Sequence, residues 1–389
     1  MRDDTPWEDG MDLLAPTLDP HCHEAAHLPE AAFRPFGIKA IARGKASCPV
    51  VESSVGTFRF GVLRRFGRST VPRRRLLVVA PMAGGYPVLL RDLLTALLSE
   101  LDEVFITDWP DSRYVPKSVG TFGLGDNILH VEAMIRAVGP ASHVVAVCQG
   151  VVPALAATAL LSAAGDATVP QSLTLVGGPA DPMANPSRVV RLLRERPLAW
   201  FEKNVIEKVE NLYPGRGRRI YSRSHQLETF SAYALRHMIE KRELFWKSLF
   251  DDGEDPVRFP FVSLCWSLMD IPAELLLGMV RDVFQRDCLA KSNLHAGGRR
   301  VELRAIARTA LATIEGEEDD ISAPGQTSAA HALCPGILQD LRRKLMLRDS
   351  GHFALFHGSK ARSIVVPAIL ELIEASGRRT THMPARLAS

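Results

Sequence analysis

Residues 143–153 read His143-Val144-Val145-Ala146-Val147-Cys148-Gln149-Gly150-Val151-Val152-Pro153. The β-branched apolar run before Cys148 predicts a buried parallel strand. The chain then turns and continues as a small apolar helix over residues 153–164, whose first turn tolerates a proline because no N–H is needed there. The pattern Ala-x-Cys-x-Gly therefore places Cys148 on a tight turn between a strand and a helix.

Three interpretations of Cys148 compete. A free cysteine is most often a buried structural thiol. The apolar stretch 144–164 is also about as long as a membrane span, but the turn residues near its start favour two separate elements. The third interpretation is a nucleophile, because strand, tight turn and helix form the nucleophile elbow of hydrolases. A nucleophile at this position requires an acid and a histidine further along the chain.

Two later strand ends supply these groups. The predicted strand 313–321 ends in an acidic loop that contains Asp319 and Asp320, and the segment 345–353 ends in Gly-His at His352. The order nucleophile, acid, histidine is that of α/β-hydrolases. We predict that Cys148 is the nucleophile, His352 the base and Asp319 the orienting acid, with Asp320 as the alternative acid.

Loops at other strand ends supply the remaining candidates. The loop after the predicted strand 76–81 contains glycine but matches neither nucleotide-binding glycine motif, which argues against a nucleotide cofactor. In an α/β-hydrolase this loop donates one oxyanion N–H. We therefore predict an oxyanion hole formed by the backbone of Met82 or Ala83 with that of Gln149. Asp108 and Trp109 end the next strand, at the same edge of the sheet as the predicted site. They either contact the substrate or only pack within the loop.

The composition argues against several classes of protein. The chain has 389 residues, of which 46% are hydrophobic, so it can bury a large core. Its net charge of +3 gives no indication of nucleic acid binding. Six cysteines without CxxC pairs favour a reducing compartment, and no apolar secretory segment is visible. The cluster His21-Cys22-His23 with His27 lacks a second ligand group, so we predict no metal site and no cofactor.

The spacing of helical and strand patterns predicts an α/β fold with a mostly parallel central sheet flanked by helices. We expect a flexible arm over residues 1–35, an α/β-hydrolase core over 36–184 and 301–377, and a disordered tail over 378–389. Helical patterns rich in aromatic residues interrupt the core over 185–300 and predict a helical cap. Trp266 in this cap is a predicted substrate contact.

Several segments resemble the intracellular polyhydroxyalkanoate depolymerases, which degrade poly-3-hydroxybutyrate (PHB). The resemblance covers about residues 35–375 and is carried by these segments: Ala80-Pro81-Met82, Ile106-Thr107-Asp108-Trp109 with Val115-Pro116, Phe122-Gly123-Leu124, His143-Val144-Val145-Ala146-Val147-Cys148-Gln149, Gly177-Gly178-Pro179, Gly298-Arg299-Arg300-Val301, Glu315-Gly316-Glu317, Asp319-Asp320-Ile321, Gly325-Gln326-Thr327 and Gly351-His352-Phe353.

This resemblance implies an α/β-hydrolase that uses cysteine in place of serine and acts in the cytoplasm, on storage granules. We expect hydrolysis of polyhydroxyalkanoate esters to 3-hydroxybutyrate or oligomers through a thioester acyl-enzyme. The expected partner is the amorphous polyester granule, without nucleic acid or a transmembrane segment, and the oligomeric state is unknown. The alternatives are a polyhydroxyalkanoate synthase-like acyltransferase acting on hydroxyacyl-CoA, a non-catalytic granule-binding protein and a small-ester hydrolase.

Overall fold

A computed structural model of the protein describes residues 28–67, 74–240 and 267–380. The strands in these ranges are β1 (Ala40–Arg43), β2 (Ala46–Pro49), β3 (Val51–Phe58), β4 (Gly61–Gly67), β5 (Arg75–Val79), β6 (Glu103–Asp108), β7 (His143–Val147), β8 (Ser172–Val176), β9 (Ile206–Lys208), β10 (Arg219–Tyr221), β11 (Ile271–Pro272), β12 (His295–Ala296), β13 (Arg299–Arg300), β14 (Ala310–Gly316) and β15 (Arg342–Leu347).

Eight of these strands form the central sheet, in the order β15-β14-β8-β7-β5-β6-β4-β3. Strands β5, β6, β7, β8, β14 and β15 pair in parallel, whereas β4 is antiparallel to both β3 and β6. All residues of β7 are buried, as expected for a strand covered on both faces. The predicted α/β fold with a mostly parallel sheet is therefore confirmed.

The helices are α1 (Tyr86–Leu89), α2 (Arg91–Glu100), α3 (Leu124–Val138), α4 (Val151–Ala163), α5 (Arg188–Glu195), α6 (Leu198–Asn204), α7 (Arg223–Glu240), α8 (Ala273–Gly278), α9 (Ala330–Leu333), α10 (Gly358–Lys360) and α11 (Val366–Thr380), with π-helical turns at Met279–Gln285 and Ala361–Val365. Helices α3 and α4 pack against each other, and α11 contacts β8 and β14. These contacts place helices along the sheet and bury α4 almost completely.

The chain between β8 and β14 forms an insertion that contains both helices and short strands. In addition to α5–α8, the structure has a three-stranded sheet in the order β11-β10-β9 and the small hairpin β12–β13. Arg113 of the core joins this insertion to the sheet through Asp270, with an Nη2–Oδ2 distance of 2.7 Å. Arg218 donates to the carbonyl of Val115 at 3.0 Å. The boundaries of the insertion at residues 185 and 300, and its role as a cap, stay predictions.

The structure describes parts of the predicted N-terminal arm and of the predicted C-terminal tail. Residues 28–35 belong to the predicted flexible arm, yet Ala32 is buried and Arg34 pairs with Asp111 at 2.9 Å. Helix α11 runs to Thr380, into the predicted tail. The rest of the arm, including His21, and the end of the tail lie outside the described residues.

Candidate active site

Cys148 occupies a strained turn at the carboxyl end of β7. Its φ of 52° lies in the left-handed region, which costs a side chain other than glycine about 1–3 kcal/mol. A 3-10 turn over Cys148–Gly150 then leads directly into α4. A Cβ atom at Gly178 would lie 2.3 Å from the Cys148 carbonyl oxygen, and one at Gly150 would lie 2.5 Å from the Val79 carbonyl oxygen. Close backbone packing therefore holds the turn in the conformation of a nucleophile elbow.

Cys148, His352 and Asp319 form a hydrogen-bonded series. The Nε2 atom of His352 lies 3.3 Å from Cys148 Sγ, and its Nδ1 atom lies 2.7 Å from Asp319 Oδ2. The other carboxylate oxygen of Asp319 accepts the backbone N–H groups of Ile321 and Ser322, each at 2.9 Å. Of the two neighbouring aspartates, Asp319 is therefore the one bonded to His352.

The environment of His352 favours its protonated form. The ring is only 3% exposed, and burial by itself disfavours the charge. Asp319 and Cys148 outweigh burial and raise the pKa of His352 well above its ordinary value of 6.5. The rings of Phe353 and Phe356 meet the imidazole edge-on, with centroids 5.6 and 5.4 Å away. The imidazole therefore lies between two groups, Asp319 and Cys148, that both favour its protonated form.

An apolar cavity of about 270 Å³ opens beside Cys148 and His352. Its lining combines residues of the core with residues of the insertion: Pro81, Ala83, Gly84, Tyr86, Leu89, Leu90, Val189, Tyr221, Gln226, Thr229, Leu268, Ile321, Phe353 and Phe356. Such a cavity suits an apolar acyl group rather than a charged one. Another cavity, of about 390 Å³, lies between α3 and the insertion, but its described lining includes charged groups such as Arg219 and Glu274 and neither cysteine nor serine.

The predicted oxyanion donors lie on two loops that touch. The Met82 N–H donates to the side-chain oxygen Oε1 of Gln149 at 3.0 Å. Ala83, the next residue, lines the cavity beside Cys148. Of the two predicted donors in this loop, the Met82 N–H is thus bonded within the protein, whereas Ala83 lies at the cavity.

The predicted substrate contacts Asp108 and Trp109 lie in the core, away from the cavity. Both residues are buried, and neither lines the cavity. Asp108 binds Arg64 and the hydroxyl of Tyr86, while burial raises the pKa of Asp108 to about 6. The indole Nε1 of Trp109 donates to the Ala80 carbonyl at 3.0 Å. The polar groups at this strand end therefore satisfy one another in the core. Trp266 lies outside the described residues.

Two features of the site were not predicted from the sequence: the packing of Phe353 and Phe356 on His352, and the contact of the Gln149 side chain with Met82. Phe353 and Phe356 follow His352 closely in the sequence. Their position beside a candidate catalytic histidine could have indicated that they pack on its ring. The contact between Gln149 and Met82 joins positions 67 residues apart, so no local pattern indicates it.

Within residues 28–67, 74–240 and 267–380, no group of three or more His, Cys, Asp or Glu side chains is arranged to hold a metal ion. In the same ranges, no helix combines the length and the apolar character needed to cross a membrane.

Several solved structures are similar to this chain. A monoacylglycerol lipase of Paleococcus ferrophilus is 12% identical with a TM-score of 0.45, over 81% of this chain and 99% of that one. A carboxylesterase of Bacillus subtilis is 10% identical with a TM-score of 0.46, over 83% and 91% of the two chains. A thermophilic esterase of Thermogutta terrifontis is 14% identical with a TM-score of 0.44, over 85% and 99%. No curated protein sequence matches significantly.

One family model matches this chain. A model of the PHB depolymerase C-terminus matches residues 177–377, which is just over half of the chain. The match includes Asp319 and His352, whereas Cys148 precedes it. The chain belongs to the PHB depolymerase family of α/β-hydrolases and is a carboxylic ester hydrolase.

Proposed function

We propose that this protein hydrolyses polyhydroxyalkanoate esters with Cys148 as nucleophile, His352 as general base and acid, and Asp319 as the orienting carboxylate. The observation that carries the proposal is the series Cys148–His352–Asp319, with distances of 3.3 and 2.7 Å, on a strained turn beside an apolar cavity. Family membership supplies the ester chemistry and the polyester class of substrate.

The first half of the reaction forms a thioester. His352 takes the proton of Cys148, and the thiolate attacks the ester carbonyl carbon. The carbonyl oxygen becomes an oxyanion, which the backbone N–H groups of Gln149 and Ala83 stabilise. As the tetrahedral intermediate collapses, the C–O bond breaks and the His352 imidazolium gives its proton to the leaving alkoxide. The released polymer end is an alcohol, and the acyl group stays on Cys148.

The second half of the reaction regenerates the thiol. His352 removes a proton from water, and the hydroxide attacks the thioester carbonyl carbon. Collapse of this intermediate breaks the C–S bond, and the thiolate recovers its proton from His352. Asp319 holds the imidazole in the required tautomer and stabilises its charge in both halves. The product is 3-hydroxybutyrate or a short oligomer.

The cavity supports an apolar polyester as substrate. The lining residues near Cys148 include Leu89, Leu90 and Phe356, which suit the alkyl parts of a hydroxyacyl chain. The natural partner in this proposal is the amorphous storage granule in the cytoplasm. A non-catalytic granule-binding protein and an acyltransferase acting on hydroxyacyl-CoA are the alternatives that the experiment separates.

The proposal is tested by the clearing of native PHB granules. Wild-type protein should clear a granule suspension and release 3-hydroxybutyrate, whereas Cys148→Ala should lose about a thousandfold or more of the rate. Cys48→Ala is the matched control, because Cys48 is another free cysteine, on β2. Granule binding without clearing would favour the binding protein, and release of coenzyme A from hydroxybutyryl-CoA would favour the acyltransferase.

A further inference from the structure

The side chain of Gln149 links the two loops that supply the oxyanion hole. Gln149 follows Cys148 on the elbow, and its backbone N–H is one of the two proposed oxyanion donors. Its side-chain oxygen Oε1 accepts the Met82 N–H at 3.0 Å. Met82 immediately precedes Ala83, whose N–H is the second proposed donor. One residue therefore contributes a donor through its backbone and contacts the loop of the other donor through its side chain.

The loop between β5 and α1 is fixed at its start but contains two glycines further along. Ala80 is fixed on its β6 side, because its N–H donates to Thr107 Oγ1 and its carbonyl accepts from Trp109 Nε1, both at 3.0 Å. Gly84 and Gly85 have φ values of 79° and 61°, where glycine has more backbone freedom than other residues. Ala83 lies between these two parts of the loop. The bond from Met82 to Gln149 restrains the residue directly before Ala83 and so limits where the Ala83 N–H points.

We propose that Gln149 acts through its side chain as a positioning residue. The side chain aligns the Ala83 N–H with the oxyanion that forms when Cys148 attacks the ester. This inference rests on the proposed Cys148 mechanism. It assigns to the side chain a function separate from that of the Gln149 backbone.

The chemistry of the amide suits this role. The Met82 N–H requires an acceptor, and the amide oxygen of Gln149 provides one without a net charge. A carboxylate at the same position would also accept the bond, but it would place a negative charge next to a developing oxyanion. Preorganised donors stabilise the transition state because they need no reorganisation when the charge forms. Without the Gln149 acceptor, the loop that contains Ala83 would have to become ordered during the reaction, which would slow the reaction.

The test compares Gln149→Met, which keeps the length of the side chain but removes the acceptor, with Gln339→Met, the same change at an exposed position. Three quantities are measured for the full chain: turnover of a soluble 3-hydroxybutyrate oligomer, inhibition by 3-hydroxybutanal, and alkylation of Cys148 by iodoacetamide. Addition of Cys148 to the aldehyde places an oxygen in the oxyanion hole, whereas alkylation involves no oxyanion. The melting temperature of each variant is recorded beside these rates.

For Gln149→Met we expect kcat to fall about ten- to hundredfold, less than when an oxyanion donor is removed outright. KM should change little, the aldehyde should bind weaker by a similar factor, and the alkylation rate should stay within about twofold. Gln339→Met should match wild type throughout. Unchanged turnover in Gln149→Met, or alkylation that falls in parallel with turnover, would overturn the inference alone. A wild-type protein without ester turnover would overturn the proposed function and this inference with it.

Discussion

Asp319 and Asp320 are adjacent carboxylates, but they differ in their relation to His352. Only Asp319 is bonded to the imidazole, at 2.7 Å. Asp319→Asn keeps an oxygen for the Ile321 and Ser322 N–H groups but presents the wrong partner to the His352 Nδ1–H. We expect kcat to fall about 10³- to 10⁴-fold, as for other triads whose carboxylate becomes an amide. Turnover of a soluble hydroxybutyrate oligomer measures this loss.

Asp320→Asn is the matched control for that prediction, because it makes the same chemical change one residue further along the chain. Its kcat should stay within about threefold of wild type. A larger loss in Asp320→Asn than in Asp319→Asn would show that the alternative aspartate is the triad acid.

The raised pKa of His352 has a consequence for the pH dependence of the reaction. In the proposed mechanism the imidazolium protonates the leaving alkoxide, so kcat/KM should fall when His352 loses its proton at high pH. Burial alone would lower the pKa of His352, but Asp319 and Cys148 raise it well above 6.5. The alkaline limb for an alkyl ester substrate should therefore lie well above pH 6.5. A limb at or below pH 6.5 in the measured profile would contradict this charge arrangement.

At the scale of elements, the elbow depends on close contact between β8 and the start of α4. A Cβ atom at Gly178 would lie 2.3 Å from the Cys148 carbonyl oxygen and 2.5 Å from Val151 Cβ. Gly178→Ala should therefore lower the free energy of unfolding by about 1–3 kcal/mol, as other overpacked core sites do. It should also reduce activity, because the displaced backbone carries Cys148. Thermal unfolding and oligomer turnover measure the two effects.

Gly377→Ala serves as the control for this substitution. Gly377 lies on the exposed side of α11, and a Cβ atom there would meet nothing within 4 Å. Because glycine weakens a helix interior by about 0.5–1 kcal/mol relative to alanine, this variant should be slightly more stable than wild type. Equal stability of the two alanine variants would show that the elbow tolerates more movement than its packing suggests.

The same elements show what the sequence could and could not predict. The turn at Cys148 was predictable because the strand, turn residues and helix are contiguous. The proximity of Asp319 and His352 to Cys148 was predictable because both residues follow strands of one parallel sheet. Asp108 satisfied the same rule, yet its partner Arg64 is 44 residues away on β4 and Tyr86 is 22 residues away on α1. Pairing between distant elements, which decides whether a strand-end carboxylate faces the substrate, is not encoded in local spacing.

Three of the buried histidines in the described residues should make the stability of the protein depend on pH in the acidic range. Burial lowers the pKa values of His130, His143 and His331 to about 4. Each is neutral when folded but binds a proton below about pH 6.5 when unfolded, so stability is lost as pH falls from about 6.5 towards 4. Burial raises the pKa values of Asp108 and Asp111 to about 6. These two groups therefore add stability as pH falls from about 6 to about 4, which opposes the effect of the histidines.

Because the three histidines with lowered pKa values outnumber the two aspartates with raised ones, the free energy of unfolding should decrease from about pH 6.5 to about pH 4.5. Denaturant unfolding at several pH values measures this slope. His130→Gln should make the slope shallower, since protonation of His130 would destroy the acceptor for the Phe60 N–H. A stability that is constant or increasing towards pH 4.5 would contradict the prediction.

Long-range organisation was predictable in outline only. Alternating helices and strands predicted the sheet, and the change of pattern after β8 predicted an insertion. The salt bridge between Arg113 and Asp270 spans 157 positions, and the cavity walls come from both the core and the insertion. Such contacts depend on how separate segments pack, so the shape of the acyl cavity could not be derived from periodicity or motif spacing.

The most direct test of the central claim is mass spectrometry of the acyl-enzyme. Wild-type protein mixed with a 3-hydroxybutyrate oligomer is quenched in acid within the first turnovers and digested. A hydroxybutyryl group is expected on the peptide that contains Cys148; hydroxylamine should remove it, as it removes a thioester, and it should be absent from Cys148→Ala. Hydrolysis of the oligomer with the acyl group on another residue would contradict the assignment of Cys148 as the nucleophile.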